Sequence, residues 1–478
     1  MSRASSRSRV VSLETTLFDA ADKLRQDMDA AEYKHVVLAL IFLRSVERME
    51  SQIVVPEASS WSRLKAARWS EPSGQPGRVF DLAMEGLERN NPRLAGTLFR
   101  GFSALPIARN GRLVELAGLI DTVPLERGDT TDTLGHIYEV FLEHFAHAEG
   151  HRGGQFYTPR CVVELLYAML KPTSGVLYDP CCGSGGMFVA SRRSRSTGLR
   201  FLGQESNRTT WRLARMNLVL HDLDGDLGAA EGDTFLDDFH AGKKVDVVLS
   251  NPPFNAKDWG ASKLGADARW AYGVPPSGNA NYAWIQHILH HLADHGRAAV
   301  VLANGALTSE QVGEGEIRRA LVDAGVVECI VSLPPQLFLS TTIPASVWCL
   351  SKAPQTNILF VDGSSMGTLC DRTHRLLLAE DIERIAAVYQ QHRGRAEVPY
   401  EDVPGFCRVV SLEEVAQHRY GLVPGRYVGF EEPAPAEAVL SRIEEQIAVA
   451  EIALDRVGEA ARFARELLAS LRDGIHRG

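Results

Sequence analysis

From Leu13 to about Met49 apolar residues return every three or four positions, with Leu17, Leu24 and Met28 followed by Val36, Val37, Leu40 and Ile41, a spacing that predicts helix. The stretch Glu71-Pro72-Ser73-Gly74-Gln75-Pro76-Gly77 interrupts this with turn formers, and helical spacing resumes at Val79–Leu87 and Leu134–Phe145. Residues 10–150 are therefore read as a helical N-terminal domain. Beyond Val176 the texture changes. Short apolar runs (Val176-Leu177-Tyr178, Phe201-Leu202, Val245–Leu249, Ala298–Leu302, Val326–Ser332 and Val347–Leu350) alternate with helical segments. Such alternation predicts an α/β fold with a parallel, doubly wound sheet over residues 151–400 and ligands at the carboxyl ends of its strands. Within the C-terminal extension, 401–478, Leu440, Ile443, Ile447, Ala450, Leu454, Val457, Ala461, Ala464, Leu468 and Leu471 keep the spacing of a coiled-coil seam. A seam of this kind docks a partner or packs on its own domain, and subunit contact is the preferred reading.

Composition narrows the setting. The seven cysteines include no Cys-x-x-Cys pair and no accompanying His cluster at ligand spacing, so neither a metal site nor a disulfide framework is expected, and a reducing cytoplasm fits. The longest apolar run, His35–Leu43, falls far short of the roughly 20 residues that span a bilayer, so no membrane partner is expected. The Ser- and Arg-rich first ten residues lack an apolar core and read as a frayed tail. The formal charge of -9 runs against a protein that grips phosphates by itself. Either its basic residues gather on one face or a partner supplies most of the grip. Arg192, Arg193, Arg195, Arg208, Arg212 and Arg215 read as a solvated helical face.

The strand at Val176 runs into Asp179-Pro180-Cys181-Cys182-Gly183-Ser184-Gly185-Gly186, with a helix expected from about Met187. A Gly-rich turn at that place lets backbone amides approach a ligand closely. No Gly-x-x-x-x-Gly-Lys-Ser/Thr sequence occurs, which argues against an ATP motor. One βα unit later, Glu205 ends the next strand, where an acid can accept both hydroxyls of a ribose. Asp233-Thr234, read as closing another short strand, either meets the adenine of the cofactor or caps a helix. Upstream of an amphipathic segment, Gln155-Phe156-Tyr157-Thr158-Pro159-Arg160 offers Thr158 as N-cap and Pro159 as first helical residue, which explains the helix start without function. Cys181 and Cys182 read as small buried thiols.

After the run Val245–Leu249 comes Ser250-Asn251-Pro252-Pro253-Phe254, at a strand end where catalysis is expected. An exocyclic adenine amine is a poor nucleophile because its lone pair is delocalised into the ring. The Asn251 side-chain oxygen and the Pro252 carbonyl can each accept one of its hydrogens, while Pro252 and Pro253 stiffen the backbone and remove competing donors. Phe254 offers a ring for stacking, and the chemistry requires the base to leave the duplex. Segment Lys257–Asn281, with Trp259, Trp270 and Tyr272, either closes over such a base or packs at the sheet edge.

In the order cofactor helix, Gly loop, acid and Asn-Pro-Pro-Phe, the chain resembles the gamma-type amino-methyltransferases. The stretches Asp27–Leu38, Gly154–Arg160, Tyr272–Trp284 and Gly313-Glu314-Gly315-Glu316-Ile317-Arg318 resemble, more closely, the modification subunit of type I restriction-modification systems, over about residues 13 to 430. The resemblance implies a Rossmann-like methyltransferase sheet, S-adenosyl-L-methionine as cofactor, and methyl transfer to adenine N6 in DNA. It also implies that the segment Gln155–Arg160, Ser184-Gly185-Gly186 and Glu205 contact the methyl donor. The partners it implies are DNA, a specificity (S) subunit, a restriction (R) subunit and a second modification subunit. Methylation of protein glutamine or RNA, or a cofactor-binding assembly role, are the alternatives. The intact Asn251 argues against an idle subunit.

Overall fold

The computed structural model describes residues 30–49, 53–67, 69, 75–109, 111–122, 138–142, 158–194, 196, 198–311, 313–338, 343–371 and 373–430, together with 448 and 451. The chain divides into two units, Met1–Val428 and Gly429–Gly478. The seam predicted at Leu440–Leu471 lies outside the described residues, as do residues 1–29 and Gln155, Phe156 and Tyr157.

Among the described residues before 150, the longer helices are α1 (Ala30–Val46), α2 (Pro76–Asn90) and α3 (Arg112–Asp121). In α1 every residue from Val36 to Leu43 is buried, because the helix runs through the middle of a core made with Phe80, Met84 and Leu87 of α2 and Leu113, Leu116 and Ile120 of α3. Four helices accompany the first five strands: α4 (Arg160–Leu170), α5 (Gly186–Arg193), α6 (Arg208–Leu220) and α7 (Asn281–His291). α6 carries two apolar stripes. Leu213, Met216 and Leu220 enter the helical core, whereas Trp211, Ala214 and Leu218 enter the core under the sheet. Both stripes repeat at i, i+3, i+7, so one helix serves both layers.

The arginines of α5 and α6 are largely engaged and do not form a simple solvated face, while Arg195 lies outside the described residues. Arg212 Nε donates to the Gly96 carbonyl at 3.0 Å and Arg215 to the Arg93 carbonyl at 2.6 Å, while Arg193 pairs with Glu139 at 2.7 Å. Arg192 donates to the His221 carbonyl at 2.8 Å, and Arg208 lies 3.9 Å from Glu231. A hydrophobic count along the sequence sees only their charge, not the carbonyls that loops bring within reach. Arg215 also stacks over Trp211 at 4.8 Å. We therefore expect Arg215→Ala to cost about 1–2 kcal/mol in urea unfolding, against almost nothing for the exposed Arg208→Ala.

The strands are β1 (Ser174–Asp179), β2 (Gly198–Gly203), β3 (Gly225–Asp226), β4 (Val245–Ser250), β5 (Leu292–Ala303), β6 (Val327–Ser332), β7 (Ala345–Ser351), β8 (Asn357–Asp362), the hairpin β9 (Thr368–Leu369) and β10 (Arg375–Leu376), and β11 (Cys407–Ser411). All but β9 and β10 join one sheet in the order β11-β8-β6-β7-β5-β4-β1-β2-β3. Pairing is parallel from β3 through β5 and between β6 and β8. It is antiparallel where β7 inserts between β5 and β6 and where β11 borders β8. The α/β, doubly wound expectation holds, with the run Val347–Leu350 entering against the parallel grain.

Helices α8 (Glu314–Asp323) and α9 (Ala379–His392) complete the two layers. Alternate residues of β5 divide between them: Ala299 and Val301 face the core of α4, α5 and α9, while Ala298, Val300 and Leu302 face that of α7 and α8. Near-continuous apolar runs are what a sheet covered on both faces requires. Among the described residues no helix is long and apolar enough to cross a membrane.

Candidate functional site

β1 lies between β2 and β4 in parallel register, with Asp179 opposite Gly203 and Tyr178 opposite Val248, so three chain segments leave the sheet at the same edge. Asn251 is the first residue beyond β4. Its Nδ2 donates to Thr158 Oγ1 at 2.9 Å, and its Oδ1 is buried with no hydrogen-bond partner among the described residues. A buried carbonyl oxygen left without a donor is costly unless a ligand supplies one. Thr158 thereby settles which end of the amide is committed and which is offered. This use of Thr158 differs from the helix cap suggested by its position: α4 begins at Arg160, Pro159 is its N-cap, and no side chain caps it. Arg160 pairs with Glu164 at 2.7 Å, one turn along α4.

Beyond Asn251, among the described residues, no backbone donor reaches the Pro252 carbonyl. Pro252 is buried and Pro253 half-buried. The Phe254 ring meets that of Phe338 edge-on, with centroids 5.5 Å apart. Asn255 takes a left-handed φ of 53° to turn the chain, and Asn281, at the start of α7, holds it from both sides. Asn281 Oδ1 accepts the Asn255 amide at 3.0 Å, and its Nδ2 donates to Asn255 Oδ1 at 2.9 Å.

The Gly-rich loop joins β1 to α5, which begins at Gly186 as its spacing predicts. Gly183 and Gly185 have φ of 54° and 81°, conformations that suit glycine. A Cβ at Gly183 or Gly186 would meet nothing within 4 Å, so the loop borders open space. Asn217 of α6 supports it from behind through a 2.9 Å bond to the Ser184 carbonyl. Glu205 accepts the Gly183 amide on Oε2 at 3.1 Å and the Asn207 amide on Oε1 at 2.7 Å. Burial raises its pKa and these amide bonds oppose the rise.

Asp179 is fully buried. Ser250 Oγ donates to its Oδ1 at 2.7 Å and the Cys181 amide does so at 3.1 Å. Burial pushes its pKa up to about 7 despite these donors. The Ser250 bond ties the residue before Asn251 to the residue that opens the Gly loop. Cys182 is buried as expected and Cys181 half-buried, and desolvation, reinforced by Asp179, holds both pKa values well above the ordinary thiol range.

The segment at Asp233 departs from expectation. β3 ends at Asp226, so Asp233 closes no strand. Its Oδ1 accepts the amides of Phe235 and Leu236 at 2.9 and 3.2 Å, capping a turn where the alternative reading placed a helix. Thr234 is buried and its hydroxyl donates to the Pro180 carbonyl, binding this turn to the Gly loop. The aromatic residues of 257–281 pack inward: Trp259 and Trp270 form a buried cluster with Phe235 and Trp284. The supporting roles of Ser250, Asn217 and Asn281 were not legible in the sequence because each is a single polar residue whose partner lies far along the chain.

Comparison with known proteins gives one direction. Residues 129–434 match the N-6 DNA Methylase family and residues 13–122 match the HsdM N-terminal domain. The chain is 39% identical over 399 residues to the type I restriction enzyme HindI methylase subunit of Haemophilus influenzae, covering 78% of this chain and 90% of the relative. It is 31% identical to the MjaIX methylase subunit of Methanocaldococcus jannaschii, covering 91% of this chain and 87% of the relative. A crystal structure of a type I restriction-modification system methyltransferase subunit from Streptococcus thermophilus superposes with a TM-score of 0.72 at 25% identity, covering 87% of this chain and 99% of that one.

Proposed function

The chain belongs to the N-6 DNA methylase family as a methylase subunit of the type I restriction kind, an adenine-specific DNA methyltransferase, and from this we propose how its own residues bind cofactor and base. The observation that carries the reading is the unpartnered, buried Asn251 Oδ1 beside a committed Nδ2.

S-adenosyl-L-methionine, when bound, supplies an electrophilic methyl group on a sulfonium. The open space over Gly183 and Gly186, with Glu205 and Asp179 beside it, suits such a cationic nucleoside. In this reading Glu205 accepts the ribose hydroxyls, the Gly183–Gly186 loop and Asp179 border the amino-acid end, and the turn at Asp233-Thr234 faces the adenine ring. Thr158, with Pro159 and Arg160 after it, forms the side next to Asn251. Asn251 Oδ1 and the Pro252 carbonyl accept the two N6 hydrogens of an extruded adenine, drawing the nitrogen toward tetrahedral geometry and turning its lone pair to the methyl group. Phe254, braced by Phe338, stacks on the base.

The charge of -9 supports delegation of sequence choice to a specificity (S) subunit, with a second modification subunit and a restriction (R) subunit completing a cytoplasmic complex on DNA. The domain plan that goes with it is a helical part at 10–150, a methyltransferase part at 151–400 and a subunit-contact extension at 401–478. Incubation with duplex DNA and labelled S-adenosyl-L-methionine, followed by digestion to nucleosides, should place the label in N6-methyladenine, and only efficiently once the S subunit is added. Label in glutamine or RNA, or tight sequence-selective DNA binding by the chain alone, would overturn the respective part of this reading.

A further inference from the structure

Arg269 belongs to the loop that follows the catalytic turn, yet its guanidinium is buried and spends its donors elsewhere. Nη1 donates to the Thr234 carbonyl at 3.1 Å and Nη2 to the Phe235 carbonyl at 2.6 Å. Asp267 takes Nε and Nη2, each at 2.8 Å, and the group stacks 5.2 Å from the Trp270 ring. Nη1 also meets His287 Nδ1 at 3.2 Å, and the other ring nitrogen of His287 meets Tyr178 Oη at 3.0 Å. Since arginine can only donate, His287 accepts on Nδ1 and carries its proton on Nε2, toward Tyr178. Burial, with His291 and Arg269 nearby, keeps this imidazole neutral although Asp238 opposes them.

The ligand-type atoms of Asp238, His287 and His291 lie within 4.8 Å of one another, a grouping that joins Asp238 to histidines 49 and 53 positions further along the chain and that the expectation of no metal site did not foresee. Both nitrogens of His291 are engaged, with Asp238 Oδ2 at 2.9 Å and the Lys243 carbonyl at 3.1 Å. His287 bridges the Arg269 guanidinium to Tyr178, the residue before Asp179, and packs its ring against that of His291 with centroids 4.6 Å apart.

A buried guanidinium is costly to desolvate, and packing alone would be served by an apolar residue. Two of its bonds go to successive carbonyls of a turn that belongs to no strand or helix. We propose that Arg269 is a positioning residue for the cofactor's base: from the loop after Asn251 it fixes the shape of the 233–235 turn and so sets how tightly, and how selectively, the adenine end of the cofactor is held. This rests on the reading that the Asp233-Thr234 turn faces that base. Lysine, a single-point donor, cannot reach both carbonyls and Asp267 together.

The test uses the full chain for binding and the chain with its S subunit for rates. Arg269→Gln should weaken S-adenosylhomocysteine binding in calorimetry by about tenfold to a hundredfold, with KM for the methyl donor rising more than kcat falls, and Arg269→Lys should lie between. The preference for S-adenosylhomocysteine over S-inosylhomocysteine should narrow in Arg269→Gln, a change that general loosening of the fold would not produce. A folded Arg269→Gln protein with unchanged affinity and unchanged preference would overturn the proposal. If that variant does not fold, Asp267→Ala, which keeps the guanidinium but removes the carboxylate that holds its Nε and Nη2, should give the same narrowing, and its failure to do so is equally fatal. Asp233→Ala separates the two levels. If it leaves base preference intact, the underlying placement of the cofactor is wrong, whereas if it alone alters preference, only the role of Arg269 is.

Discussion

Replacing Asn251 with alanine is expected to slow methyl transfer to duplex DNA by roughly a thousandfold or more while S-adenosylhomocysteine affinity stays within about threefold. The size follows from what is removed. Among the described residues the Asn251 oxygen is one of two acceptors at the strand end, and it sits in a buried place where a hydrogen bond to a polarising amine is worth more than in water. The Pro252 carbonyl, being backbone, stays. Asn251→Asp keeps acceptor oxygens but loses the Nδ2 bond to Thr158, so its rate should fall between wild type and alanine. Thr158→Val removes only the group that orients the amide and should cost about tenfold. Single-turnover rates at saturating cofactor measure all three. Alanine activity within tenfold of wild type would remove Asn251 from the catalytic role.

The strands were legible where a sheet covered on both faces demands continuous apolar runs, as at Val245–Leu249 and Ala298–Leu302. Strand direction was not legible, because the residues of β7 read the same whichever way the strand enters, and only its pairing with β5 and β6 decides it. The Asn-Pro-Pro-Phe turn, the Gly loop and Glu205 were legible since each places an unusual residue type directly at a strand end. The supporting contacts were not. Asn281 is 26 positions from Asn255 and Arg269 is 35 from Thr234, and nothing in local spacing marks either partner. Asp233 was half legible: its acid was noticed, but its Oδ1 is spent on two amides of its own turn.

Affinity for S-adenosyl-L-methionine should rise by about tenfold per pH unit between about pH 5 and pH 7 and level off above, a change on the order of a hundredfold. The cause is Asp179, whose burial outweighs the Ser250 and Cys181 hydrogen bonds and lifts its pKa to about 7. Below that pH the ligand-free site holds a proton that a cationic ligand must displace, so binding at about pH 6 should release close to one proton, and at about pH 8 almost none. Calorimetry in buffers of differing ionisation enthalpy counts it directly. Asp179→Asn should abolish the slope and leave the affinity low at every pH. The same shift acts on folding with the opposite sign. A carboxyl whose folded pKa lies above its unfolded value of 3.8 contributes stability that is fully present below the unfolded pKa and is lost as the pH rises through about 7. The ligand-free protein is thus least favoured by this group in the pH range where cofactor binds best, and the stabilisation conferred by cofactor, read as the rise in melting temperature, should grow from about pH 6 to pH 8. A slope that persists in Asp179→Asn would move the titration to Glu205, whose pKa burial also raises.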